Sequence, residues 1–185
     1  AFDQGCWPGP LSECNAVSGE LWLGPSGMLG VLETMTGLKG PSIPPALRAA
    51  ELVPDVRSIS GFWSRSAQVD PFGTAKRVLQ WRDLLWMHGW RNQAVSIRLG
   101  QLAEVTSKAS PGFPDRLLIA AETLLDANNA IRDLVLLEPF DRLAPVWQTV
   151  LKSLQKTGTK IIEKKLEPVQ SGGDLAACGK ALFKP

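Results

Sequence analysis

Leu21-Trp22-Leu23-Gly24-Pro25-Ser26-Gly27-Met28-Leu29-Gly30-Val31 has the order of a short strand, a Gly/Pro turn and a helix start. A phosphate-gripping loop of the form GxxxxGK[ST] has the same order. Its backbone N–H groups cradle phosphates, its Lys reaches the terminal phosphates and its hydroxyl ligates magnesium. Counted from Gly24, the last three places of that pattern hold Leu29, Gly30 and Val31. A glycine cannot neutralise phosphate charge and a valine cannot ligate a metal. The stretch therefore predicts a degenerate nucleotide loop at Gly24, Pro25, Ser26, Gly27 and Gly30, without tight Mg-ATP binding. The competing reading is conformational, because many strand-to-helix turns use Gly and Pro for their backbone preferences alone.

Working outward, Glu20 to Leu23 is the strand candidate, and Ser26 can cap a helix running to Gly37. Pro44-Pro45 opens a second helix that Pro54 closes. Phe62, Trp63 and Val69 form an apolar connector to Asp70-Pro71, an N-cap residue followed by Pro at a first helical position. That pair predicts a long helix to His88, with Phe72, Ala75, Leu79 and Trp86 on the buried stripe, Val78, Trp81 and Leu85 widening it, and Lys76, Gln80 and Asp83 opposite. Gly89 ends it, and Trp90 can fold back onto its last turn. Helices over Ile97 to Ser107 and Pro114 to Asp126 follow, the second with a stripe of Leu117, Leu118, Ala121, Leu124 and Leu125.

Leu134-Val135-Leu136-Leu137 is a continuous apolar run bounded by charges, the pattern of a strand covered on both faces in a parallel sheet. Pro145 starts a helix to Thr157, Gly158 stops it, and Thr159 to Ile162 offers a second buried strand. One crossover helix between two strands implies that they run parallel. Strands early and late with helices between predict an α/β fold: a parallel sheet core interrupted by a helical insertion. Residues 1–40 and 131–185 would form the α/β lobe and residues 41–130 the mainly helical insertion.

The chain has 185 residues, 44% hydrophobic and 21% charged, with a net charge of +2. Such a composition folds, and its bulk charge does not announce a nucleic-acid coat or a membrane-surface binder. No stretch of about 18 apolar residues and no export signal is present, so no membrane partner is expected. Cys6, Cys14 and Cys178 lack CxxC spacing and His88 is the single histidine. No zinc site, other metal or cofactor is expected, and the cysteine usage fits a reduced, cytoplasmic protein. No Ser/His/Asp or Cys/His set can be nominated, so no catalytic residue is assigned. Glu163 and Glu167 lie in a charged segment and give no nuclease site.

Glu138, at the end of the apolar run, occupies the place of the acid that sits near magnesium in phosphoryl-transfer ATPases. With no Lys or hydroxyl at the loop, it is a vestige of an acidic strand or a turn cap. Arg77, Arg82, Arg91, Lys152 and Lys156 are candidate DNA contacts, since phosphates need only Lys and Arg on one surface. The competing reading is a solvated helix end, where cations favour the dipole. Seven Trp with no Tyr is an unusual aromatic choice. Trp residues stack on single-stranded bases, but at helical spacing among aliphatic neighbours Trp81, Trp86 and Trp147 read as core.

Five stretches, in order, resemble the N-terminal part of AddB-type proteins, the PD-(D/E)XK nuclease family members built on a degenerate superfamily 1 helicase scaffold. They are Gly5-Cys6-Trp7-Pro8; Leu21 to Pro25 with its broken loop; Val69-Asp70-Pro71-Phe72-Gly73-Thr74-Ala75; Leu79-Gln80-Trp81-Arg82-Asp83-Leu84-Leu85 through Gly89-Trp90; and Leu137-Glu138-Pro139-Phe140 followed by Leu143-Ala144-Pro145. The DPxxTA to WRD block is the most specific of them. The resemblance implies a RecA-like, P-loop-NTPase-like lobe with a helical insertion, cut from a longer chain that helps process DNA double-strand breaks. By position it matches Gly24 to Val31 to the family's inactive nucleotide loop and Glu138 to its acidic strand. It implies a non-catalytic piece that guides DNA or scaffolds the parent molecule, with DNA and a helicase-nuclease partner subunit as partners. The alternative from the residues is a small α/β domain that binds a protein through a Trp-rich surface. A nucleotide-binding enzyme with an unorthodox loop ranks last.

Overall fold

Proline at a first or second helical position starts five of the seven α-helices among the described residues. Its missing N–H has no helical partner there, and its fixed φ is already helical. These helices are α1 (Pro25–Met35), α2 (Pro45–Ser58), α4 (Pro71–Met87), α6 (Phe113–Thr123) and α7 (Pro145–Lys156). The other two are α3 (Ser64–Val69) and α5 (Ile97–Val105). The computed structural model describes residues 21–38, 43–127 and 129–164. The expectations for the strand residue Glu20, for the stretch Gly5 to Pro8, for the three cysteines and for Glu167 lie outside the described residues.

The RecA-like sheet core is not what forms. Among the described residues the only sheet is a parallel pair, β1 (Asp133–Leu136) and β2 (Lys160–Glu163), with Leu134 opposite Ile161 and Leu136 opposite Glu163. The described residues are mainly helical. Residues 21–24 contribute one isolated bridge at Leu23 and no strand. The apolar run is not covered on both faces: Val135 is 49% and Leu137 39% exposed, while Leu134 and Leu136 pack inward. A short continuous apolar run does not reveal by itself how many of its faces are covered. Parallel pairing across a single helix does form as the β1–α7–β2 order predicts, and Gly158 leaves α7 at φ +97°. Asn129 ties this unit together, donating from Nδ2 to Thr157 Oγ1 at 2.9 Å and Thr159 Oγ1 at 2.7 Å.

Local corrections have local reasons. Gly24, not Ser26, is the N-cap of α1. Pro54 does not close α2, which continues to Ser58. An interior Pro costs about 3 kcal/mol, but ending the helix there would release Val56, which is buried against α4 together with Leu52. Burial of Val56 contributes roughly 1.5–3 kcal/mol, which with the part-buried Ile59 just beyond the helix offsets the proline. Asp70 caps α4 as predicted, accepting from the Gly73 N–H at 2.8 Å. Gly89, at φ +94°, ends it, and the Trp90 N–H returns to the Leu85 carbonyl at 3.0 Å.

Two apolar clusters organise the elements. The first joins α1, α6, α7, β1 and β2 around Leu29, Leu32, Leu117, Leu124, Val150 and Leu154. The second joins α2, α3, α4 and α5 around Leu52, Val56, Trp63, Val78, Leu79 and Leu102. Among the described residues Trp63 is the one aromatic side chain fully within either, and its indole N–H donates to the Val56 carbonyl at 3.2 Å.

Candidate functional site

The buried stripe of α4 is Ala75, Val78, Leu79 and Arg82, at spacing three, four and seven. A guanidinium therefore joins the stripe between Leu79 and Trp86, while Phe72 and Trp81, expected inside, are 44% and 41% exposed. Arg82 is 5% exposed. It holds Asp115 of α6 with both Nη atoms, Nη2 to Oδ1 at 2.7 Å, and reaches Asp83 Oδ1 at 3.1 Å. Asp83, expected on the solvent side, is also gripped through both oxygens by Arg48 of α2, Nη2 to Oδ1 at 2.9 Å. Arg48 Nε donates to the Ser110 carbonyl at 2.7 Å. Asp115 Oδ2 accepts from the Gly112 N–H at 2.7 Å, tying down the start of α6. These four residues form a charged seam where the two apolar clusters meet.

Gly112 lies directly beneath the seam. A Cβ there would stand 2.7 Å from both Arg48 Nη1 and Asp83 Oδ2, so the backbone of residue 112 must lack a side chain for the pair to close. Burial is the largest influence on Asp115 and pushes its carboxyl upward, but the Arg82 and Gly112 hydrogen bonds with the Arg82 and Arg48 charges outweigh it. The net pKa falls below the ordinary carboxylate value. Arg82 is likewise opposed by burial and held charged by Asp115 and Asp83, with its pKa raised. Its guanidinium carbon lies 4.0 Å from the centroid of the Trp86 ring, and its Nε is buried without a hydrogen-bond partner. A further ion pair outside the seam, Arg116 to Glu33, joins α6 to α1, with Nε to Oε1 at 2.6 Å.

Of the candidate DNA contacts, Arg77, Lys152 and Lys156 are exposed. Arg82 is enclosed in the seam. Arg91 donates from Nη1 to the Trp86 and Trp90 carbonyls at 2.7 and 2.8 Å, where it closes the C-terminal end of α4. Gly24 and Pro25 stand at the head of α1, and Ser26, Gly27 and Gly30 are helical residues of its first two turns. Glu138 is on the surface, two residues beyond β1.

An open groove of about 610 Å³ runs between α3 and the first half of α4. Trp63 forms its floor, Phe62 and Trp81 its apolar wall, and Arg65 and Arg77 its basic edge. The Phe62 ring meets Trp63 edge-on at 4.9 Å and Trp81 at 5.7 Å. Arg77 and Arg98 place their guanidinium carbons 6.0 Å from the Trp81 and 5.9 Å from the Phe62 centroid. Gly61 permits the arrangement, since a Cβ there would lie 2.5 Å from the Trp63 ring.

Sequence reasoning missed Arg48, Asp115, Gly112 and the groove. Asp115 at the third helical position after Gly112 was the available signal, because an acid there reaches back to the helix start. Nothing local marks Arg48 as buried. Among the described residues no group of three or more His, Cys, Asp or Glu is placed to hold a metal ion, and no helix is long and apolar enough to cross a membrane. Comparison of the chain with protein-family models, with curated proteins and with solved structures finds no match.

Proposed function

We propose that this chain is a non-catalytic segment of an AddB-type DNA double-strand-break repair nuclease, one that scaffolds the parent molecule and guides DNA through exposed cations. The observation that carries the reading is the fate of its most specific resemblance, the block from Asp70 to Asp83. Asp70 caps α4, while Arg82 and Asp83 are locked into the seam with Asp115 and Arg48. Asp70, Arg82 and Asp83 hold the fold together instead of facing a substrate, while Lys76 and Arg77 of the same block stay on the surface. DNA contact falls to Arg77, Lys152 and Lys156, which remain exposed. DNA and a helicase-nuclease partner subunit are the proposed partners, and the cytoplasm the proposed compartment.

Fluorescence anisotropy of labelled single-stranded and duplex DNA tests it. With three cations engaged, raising salt from ~50 to ~200 mM should weaken binding roughly 20-fold for single strands and about 40-fold for duplex. Replacing Arg77, Lys152 and Lys156 together by Gln should remove that binding while Tm stays within the small range of surface substitutions. Absence of DNA binding at low salt overturns the guiding role. Asp83→Asn should lower Tm; a variant that melts like the parent but has lost DNA binding would overturn the structural role given to the block.

A further inference from the structure

We infer that the groove between α3 and α4 is a docking site for an acidic protein segment carrying an aromatic or aliphatic anchor. Its lining brings exposed apolar and basic side chains together. Phe62 and Trp81 are 38% and 41% exposed side by side, and Val69 on the same rim is 87% exposed. Trp and Arg are the residue types on which binding energy concentrates, in pockets from which water is expelled. Apolar wall and basic edge select the partner's chemistry together.

Charge complementarity gives the sign. Arg65 and Arg77 line the groove and Arg98 stands over the Phe62 ring. Among the described residues Asp70 is the one acid lining it, and its Oδ1 is engaged by the Gly73 N–H as the cap of α4. Carboxylates on a partner would meet guanidinium groups along one side while an apolar side chain covers Phe62, Trp81 and Val69. A nucleic-acid strand would also answer the arginines, and its bases would stack on the rings. It would gain nothing from Val69, and its phosphates would pass the Asp70 carboxylate. A peptide side chain gains from burying Val69, and a peptide sets its carboxylates only where the arginines are. The occupant the surface favours is therefore a peptide segment; the inference shares Arg77 with the DNA reading but rests on Phe62, Trp81, Val69 and Arg65, which that reading does not use.

Selection from a random peptide library displayed on phage, against the full chain, tests it. The expected result is enrichment of peptides with Asp or Glu around a Trp, Phe or Leu. The best such peptide should bind the parent chain roughly 30-fold more tightly than it binds Trp81→Ala, the loss expected at a central anchor. Val69→Glu and Arg65→Glu should weaken it as well. Both positions are exposed, so their thermal melting should match the parent. Enriched peptides that are neutral or basic, or acidic peptides indifferent to all three variants, would overturn the inference. So would an oligothymidine that binds more tightly than the peptide and is lost in Trp81→Ala, which would assign the groove to single-stranded nucleic acid. None of these results bears on the salt-dependent contacts of Lys152 and Lys156.

Discussion

The two apolar clusters are built by different means. The second, α2 to α5, comes from one continuous stretch and closes around a single buried Trp63 whose N–H is satisfied within the cluster. The first draws α1, α6, α7 and the two strands from distant parts of the chain and is packed with aliphatic side chains. Between them lies the seam of Arg48, Asp83, Arg82 and Asp115, whose bidentate geometry fixes orientation as apolar contact does not. Apolar burial holds each cluster together, and directional charge sets how α4 meets α6.

The sharpest way to break the contrast is to remove one charge from the seam. Asp115→Ala should cost about 3–5 kcal/mol, because Arg82 would keep its charge while buried without its main partner. Urea unfolding followed by circular dichroism reads this directly. The pH dependence carries a second signature. The folded Asp115 has a lowered pKa, so its contribution is complete above the unfolded value near 3.9 and is lost as pH falls below about 4 through the folded pKa. That acid-side loss should be absent from Asp115→Ala and present in the parent chain.

Leu154→Ala probes the first cluster instead. Leu154 is fully buried, and its truncation should cost about 2–5 kcal/mol with no change in the acid-side profile. If the profile changed with it, the seam and the aliphatic cluster would not be independent. Gly112→Ala should cost about 1–3 kcal/mol by overpacking against Arg48 and Asp83, and the variant should restore part of that loss when Arg48 is shortened as well. The smallest expected effect is the most instructive. Arg82→Met combined with Asp115→Leu should change stability by about 1 kcal/mol or less, since a buried ion pair replaced by apolar side chains of similar volume is often neutral. A double variant as unstable as Asp115→Ala would show that the seam stabilises the fold and does more than orient its parts.

Boundaries of elements were legible where the signal is local. Asp70-Pro71 and Gly89 frame α4, and Pro145 and Gly158 frame α7, because a cap, a fixed φ or a positive φ acts over one turn of chain whatever packs on it. Parallel pairing of β1 with β2 followed from the single helix between them. The candidate site was hardly legible. Trp81 and Arg82 are adjacent on one helix, and hydropathy places the tryptophan inside and the arginine outside. The structure reverses them, because Asp83 and Asp115 surround Arg82 and make its burial tolerable.

By itself the sequence determined the ends of α4 and α7, the Asp70 cap, and the strand, helix and parallel strand from Leu134 to Ile162. It did not give the end of α2, the cap of α1 or the helix α3. Only the tertiary structure decided how much sheet there would be, which way Trp81 faces, and that Arg82 and Asp83 serve the interior. The physical reason is the range of the forces. Backbone preferences are settled within a few residues, whereas burial of a face or of a charge depends on partners that approach from Arg48 and Asp115, elsewhere in the chain.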